Sequence, residues 1–305
     1  MMRRQKGVAL VLVLWVMTLL AVIAGNFAFS MRGEAQIARN LMVNAQAKAR
    51  ADAGVQLAWF ELMKPSADPQ RWQANGVAYE VVIDGGPVRV SILDESGKID
   101  LNTASDELLK GLFRSAGLAE DASSSLLNAV LDWRSPGDLR RLNGAKEEQY
   151  RAAGRNYGPT NAPFETVDEL QRVLGMSTEL FRRLAPAVTV YSRQTGINPM
   201  FAPREALLAV SGVNPATVEQ FLAQRRDALS SGQPTPPLAG GASFLSSATS
   251  SVYAVRSEAR MPDGTAFVRQ TVFRLTPGSK PPVVVLTWSD GDVEPAVRNN
   301  TLAKY

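Results

Sequence analysis

From Gly7 to Met31 the chain carries no charged side chain, and most residues are Val, Leu, Ala, Ile, Met or Phe. This run constrains everything after it, because about 20 apolar residues let a helix cross the roughly 30 Å hydrocarbon core of a bilayer. Arg3, Arg4 and Lys6 precede it, and cations on one flank tend to stay cytoplasmic. The sequence therefore predicts one membrane-spanning helix with the rest of the chain on the far side, which in a bacterium is the periplasm. A secretory signal peptide has a shorter apolar core and a small-residue cleavage site. Here Arg32-Gly33-Glu34-Ala35-Gln36 continues into a helix-favouring stretch. A plain single-pass anchor is the simplest alternative.

Composition narrows the chemistry. Among 305 residues there is no cysteine and no histidine, so disulfides and thiol catalysis are excluded, and the commonest general base and metal ligand is missing. No pair of acids is set apart as catalytic, and a membrane-tethered hydrolase is the weakest reading. Net charge is +4, yet the stretch from Asp94 to Asp227 holds 16 Lys and Arg against 18 Asp and Glu. A basic stripe suited to phosphates is absent there.

Past the apolar run, residues 32–64 read as a continuous helix. Ile37, Leu41, Ala45, Ala49, Ala53, Leu57, Phe60 and Met63 recur at helical spacing, Gly25-Asn26 and Gly33 are the expected bend points, and Pro65 ends the element. Two β-branched runs, 76–83 and 88–93, flank Asp84-Gly85-Gly86-Pro87 as a hairpin. Strands return at 251–259, 265–275 and 283–288, and the simplest topology pairs them with 76–93, so that residues 94–230 interrupt one sheet. That interruption is helical. Three segments repeat a helix, glycine turn, helix design, with turns Ala116-Gly117-Leu118-Ala119, Leu174-Gly175-Met176-Ser177 and Ser211-Gly212-Val213-Asn214. They resemble helix-hairpin-helix units, which often bind DNA through a Gly-x-Gly turn, but each turn lacks the second glycine. The packing reading is favoured over DNA binding.

Gly7 closes the basic leader at the start of the apolar run. This arrangement resembles the leader of type IV pilins and type II secretion pseudopilins, and implies cleavage by a prepilin peptidase between Gly7 and Val8, with N-methylation of Val8. Most of that superfamily carries Glu at mature position five, where it is thought to pair with a neighbouring subunit's ammonium. Here that residue is Leu12, a departure common in K-type minor pseudopilins of the type II secretion system. Asp132-Trp133, Asp138, Gly144-Ala145, Tyr150 and Asn161-Ala162-Pro163 are similar to a series in those proteins, whose acidic loop binds calcium. The resemblance implies a calcium site at Asp132, Asp138 and Glu147, with Glu148 an alternative to Glu147. Ser135, Gly137 and Lys146 depart from the acidic pattern, and a lysine opposes a cation.

The expected fold class is α+β: a pilin-like long N-terminal helix packed on an antiparallel sheet, with a large inserted helical domain of helix-hairpin-helix, SAM-like units. The parts are a leader (1–7), a transmembrane half-helix (8–31), its periplasmic half (32–64), a sheet (70–93 and 251–290), the inserted domain (94–230), a linker (231–250) and a polar tail (291–305). The resemblance implies a non-catalytic subunit of the inner membrane, N-terminus cytoplasmic and head periplasmic, at the pseudopilus tip. There it would start or cap assembly with I- and J-type minor pseudopilins, other pseudopilins and the prepilin peptidase as partners, and possible contact with secreted substrates, but no nucleic acid. The alternative is a membrane-anchored helix-hairpin-helix DNA-binding protein.

Overall fold

The structure, a computed structural model, describes residues 8–293. Helix α1, Val8–Met63, has 56 residues and is about 84 Å long at 1.5 Å per residue. It runs unbroken through both expected bend points, and a Cβ at Gly25 or Gly33 would meet nothing within 4 Å. Among the described residues it is the one helix long and apolar enough to cross a membrane. Its apolar N-terminal half, from Leu10 to Phe29, stands exposed.

The second half of α1 has one buried face. Ala47, Ala51, Val55, Ala58 and Leu62 are at most 2% exposed, and their spacing of four, four, three and four keeps them on one side of a 3.6-residue helix. This is not the stripe conspicuous in the sequence: Ile37, Leu41, Phe60 and Met63 all face outward. Small residues form the packed face because the helix lies close to the sheet. A Cβ on Gly54 would sit 2.2 Å from Ser257 Oγ and 3.0 Å from Val88 Cγ1.

Strands β1 (Asn75–Ile83) and β2 (Gly86–Asp94) form the expected hairpin. Asp84 and Gly85 both have positive φ, 48° and 71°, as a two-residue turn that follows strand twist requires. The chain then passes through β3 (Ile99–Asp100), α2 (Asp106–Ser115), α3 (Glu120–Arg134), α4 (Glu147–Ala152), α5 (Thr178–Leu184), β4 (Val188–Thr189), α6 (Arg204–Leu208) and α7 (Pro215–Ser231). It closes with β5 (Val252–Arg260), β6 (Ala266–Leu275) and β7 (Val283–Gly291). The main sheet is antiparallel in the order β1-β2-β5-β6-β7. Asp94 at the end of β2 lies opposite Tyr253 in β5, so the helical block leaves and returns between two adjacent strands.

Among the described residues, two hydrophobic cores result. One joins the packed face of α1 to Val88, Val90, Ile92, Val255, Ala259 and Phe273 of the sheet. The other lies within the helical block around Leu109, Leu112, Trp133, Tyr150, Leu170, Leu184 and Leu207. Residues 231–250 do not hang free as a linker. Leu238 is buried in the second core, Phe244 and Leu245 pack against it, the Ile197 N–H donates to the Phe244 carbonyl, and the Ser246 N–H donates to the Ile197 carbonyl.

The alternation of Phe267, Arg269, Thr271, Phe273 and Leu275 places the last four on the buried side of β6. Arg269 is tolerated there because its Nε donates to Asp52 of α1 at 2.6 Å, and it also pairs with Asp290 of β7. Its guanidinium lies 4.9 Å from the Trp288 ring and 5.0 Å from Phe267. One side chain thus ties the long helix to two strands.

Candidate functional site

The sequence directs attention to the end of α3 and the loop that follows. Trp133 is fully buried, its ring centroid 6.0 Å from both Phe164 and Tyr150. Tyr150 accepts the Leu174 N–H at 3.0 Å, and burial pushes its phenol up to about 12. Arg172 stacks over Tyr157 at 4.7 Å. Asn102 and Phe164 exchange two bonds, at 2.8 and 2.9 Å. Trp133, Tyr150 and Phe164 therefore anchor the loop to the helical core.

Asp132 points the other way, into the loop, and is fully buried. Its carboxylate accepts the Arg141 backbone N–H at 3.1 Å and the Arg141 guanidinium at 3.1 Å. Gly144 is required beside it, since a Cβ there would lie 2.1 Å from Asp132 Oδ2. Asp138 is exposed, and exposed Glu147 pairs with Arg151 at 3.3 Å. The three acids expected to share a cation are thus not brought together: one is committed to Arg141, one faces solvent and one turns to its own helix. Among the described residues no group of three acids is arranged to hold a metal ion.

Lys146, by contrast, is only 5% exposed. Its Nζ donates to the carbonyls of Asp132 (2.7 Å) and Ser135 (2.9 Å) and to Asn161 Oδ1 (2.5 Å). Burial pulls this ammonium below the ordinary lysine value, and the Asp132 and Asp138 charges oppose that pull.

The three glycine turns are built alike. Gly117, Gly175 and Gly212 have φ of 97°, 94° and 81°, the region where glycine alone is unstrained. The helices that follow Gly175 and Gly212 are capped by Ser177 and Asn214, which accept N–H bonds from Leu180 and Thr217. Several turn amides already have backbone partners: Gly117 and Leu118 donate to Arg114 and Phe113, Met176 to Val173, and Val213 to Val210. Arg183 of α5 also donates to the Ala116 carbonyl at 2.6 Å. These turns serve packing between the units.

Sequence reasoning passed over Asp94 and Asp100. Asp94 accepts the N–H groups of Ser96 (2.8 Å) and Ser250 (3.1 Å), one on each side of the inserted block, and burial raises its carboxyl above the ordinary value, with Glu95 adding to the rise. Asp100 accepts from Asn102, Thr103 and Arg193 N–H groups and the Ser192 hydroxyl. Asp94 closes a strand ahead of Glu95-Ser96-Gly97, a turn signal, and that was the available clue. Leu12 is 62% exposed on α1. Val8 is the first described residue of that helix, and Gly7, with the rest of the leader, lies outside the described residues.

Residues 90–193 match the family described as type II secretion system (T2SS), protein K. The stretch opens in β2 and takes in the whole Asp132–Asn161 loop. Similar proteins carry the same description: type II secretion system protein K of Klebsiella pneumoniae, 27% identical over 68% of this chain and 71% of its own length, and that of Pseudomonas aeruginosa, 26% identical over 74% of each. Over these spans the chain is similar to type II secretion system protein K. In fold it is similar to a solved chain of the GspK-GspI-GspJ complex from enterotoxigenic Escherichia coli, with a TM-score of 0.61 at 15% identity, covering 84% of this chain and 99% of that one. The likeness to K-type minor pseudopilins drawn from Gly7, Leu12 and the Asp132-Trp133 series thus has independent support, and the DNA-binding alternative gains none.

Proposed function

We propose that this chain is a minor pseudopilin at the tip of the type II secretion pseudopilus, where it starts or caps assembly for the export of folded proteins across the outer membrane. The observation that carries this reading is the helical block set between β2 and β5, which adds a second core to a pilin-like head. On this reading the enlarged head would exclude an identical subunit stacked above it. Leu12 works in the same direction, because it offers no carboxylate to an adjoining subunit's ammonium in the membrane, where such charges are costly unless paired.

On this reading α1 anchors the chain once in the inner membrane with its N-terminus cytoplasmic. Its outward-facing Ile37, Leu41, Met42 and Phe60 meet subunits below. The partners are I- and J-type minor pseudopilins, in keeping with the solved Escherichia coli complex of GspK with GspI and GspJ, and a prepilin peptidase that cuts between Gly7 and Val8. The protein acts as a structural component, and no residue is assigned a catalytic role. The test is co-expression of the full chain with its own I- and J-type partners, followed by detergent extraction. The three are expected to elute as one complex, and a strain lacking this chain is expected to retain its exported proteins in the periplasm. Separate elution together with undiminished export would contradict the proposal.

A further inference from the structure

The loop between α3 and Asn161 is built as an oxygen cage, and its occupant is part of the chain. Two backbone carbonyls, from Asp132 and Ser135, and one amide oxygen, from Asn161, converge on a single point. The carbonyls come from the last turn of α3 and the residue after it, where helix carbonyls lack partners and the dipole favours a positive charge. Carbonyl, amide and nearby carboxylate oxygens are the donor set that a hard divalent cation takes. At that point stands the Lys146 ammonium, with three N–H donors for three acceptors. The buried acid of the loop, Asp132, is already committed to Arg141.

We infer that the Lys146 ammonium is the resident cation of this loop, replacing a bound metal ion and making the fold of residues 132–161 independent of calcium. The residues present do not fit a calcium site at Asp132, Asp138 and Glu147, because the acids diverge and a fixed positive charge holds the oxygens they would have shared. The three N–H donors of the ammonium all find oxygen partners within the chain. The loop closes when the chain folds, whatever the ionic conditions outside the cell.

Two measurements on the full-length protein in detergent test this. Thermal unfolding, followed by near-ultraviolet dichroism of the buried aromatic cluster, is expected to give one midpoint in millimolar calcium and in excess chelator. A midpoint raised by calcium, or calcium retained stoichiometrically after dialysis, would overturn the inference. In the second, Lys146→Met is compared with the parent by amide hydrogen exchange. Residues 136–146 are expected to exchange at least tenfold faster in the variant, while β5 and β6 keep their protection. Unchanged exchange in that segment would show that the ammonium does not hold the loop, and would overturn the inference too. A double variant guards against simple unfolding: Lys146→Ser with Asn161→Asp replaces the ammonium by an added carboxylate, and should unfold at a higher temperature with calcium than without. A midpoint indifferent to calcium in that protein would show that the oxygens do not form a cation cage.

Discussion

Asp94 receives one N–H bond from each end of the inserted block, so a single buried carboxylate closes the junction between sheet and helices. Burial raises its pKa, which means that the folded state holds the proton to higher pH than the unfolded chain does. Stability contributed by that protonation is present at low pH and is lost as pH rises through the folded value. Asp94→Asn keeps the acceptor oxygen and removes the titration. Midpoints measured from about pH 4 to neutrality should therefore fall with pH in the parent by a component missing from the variant; parallel curves would refute this. The residues of the Asp132 loop teach a related lesson. The acids were legible as acids, but which of them would turn inward depended on Arg141 and Lys146, and side-chain direction is set by the packed loop rather than by spacing along the chain.

Helix α1 was legible as an element from its apolar run and its lack of proline, yet its packed face was not. The large apolar residues suggested one stripe, and close approach to the sheet selected another, made of Ala47, Ala51, Gly54, Val55 and Ala58. Small residues carry little hydrophobic signal while allowing the tightest contact. Gly54→Val would press methyl groups against Val88 and Val90, and overpacking of this kind costs about 1–3 kcal/mol; chemical unfolding of the full chain should show a loss in that range, and a neutral result would mean that helix and sheet lie further apart. Arg269 holds the same interface by charge. Arg269→Met would leave Asp52 half-buried without its partner, a loss of roughly 2 kcal/mol when the discount for partial exposure is applied. Because the arginine is nearly enclosed, that loss should persist in high salt, whereas a merely superficial pair would be screened.

At the scale of the whole molecule, the order of parts was the most legible feature. Strands on either side of a helical stretch required one interrupted sheet, and β2 does pair with β5. The expected linker was misread because Gln233-Pro234-Thr235-Pro236-Pro237 looks like free chain, whereas Leu238 and Leu245 beyond it find places in the helical core. The enlarged head also yields a prediction about assembly. Leu12→Glu would restore the acid that repeating subunits carry, but the head would still exclude a subunit above. Incorporation should stay confined to the fibre end, with only a modest change in amount, as read by quantitative immunolabelling along isolated pseudopili. Labelling spread along the fibre would show that Leu12, and not the head, limits the position.

The central claim, that this is a processed pseudopilin, is met most directly by the intact mass of the protein taken from membranes with and without the prepilin peptidase. The account predicts loss of residues 1–7 and gain of one methyl group on Val8, both dependent on that enzyme. An uncut, unmethylated chain in its presence would contradict the account and leave a simple membrane-anchored protein.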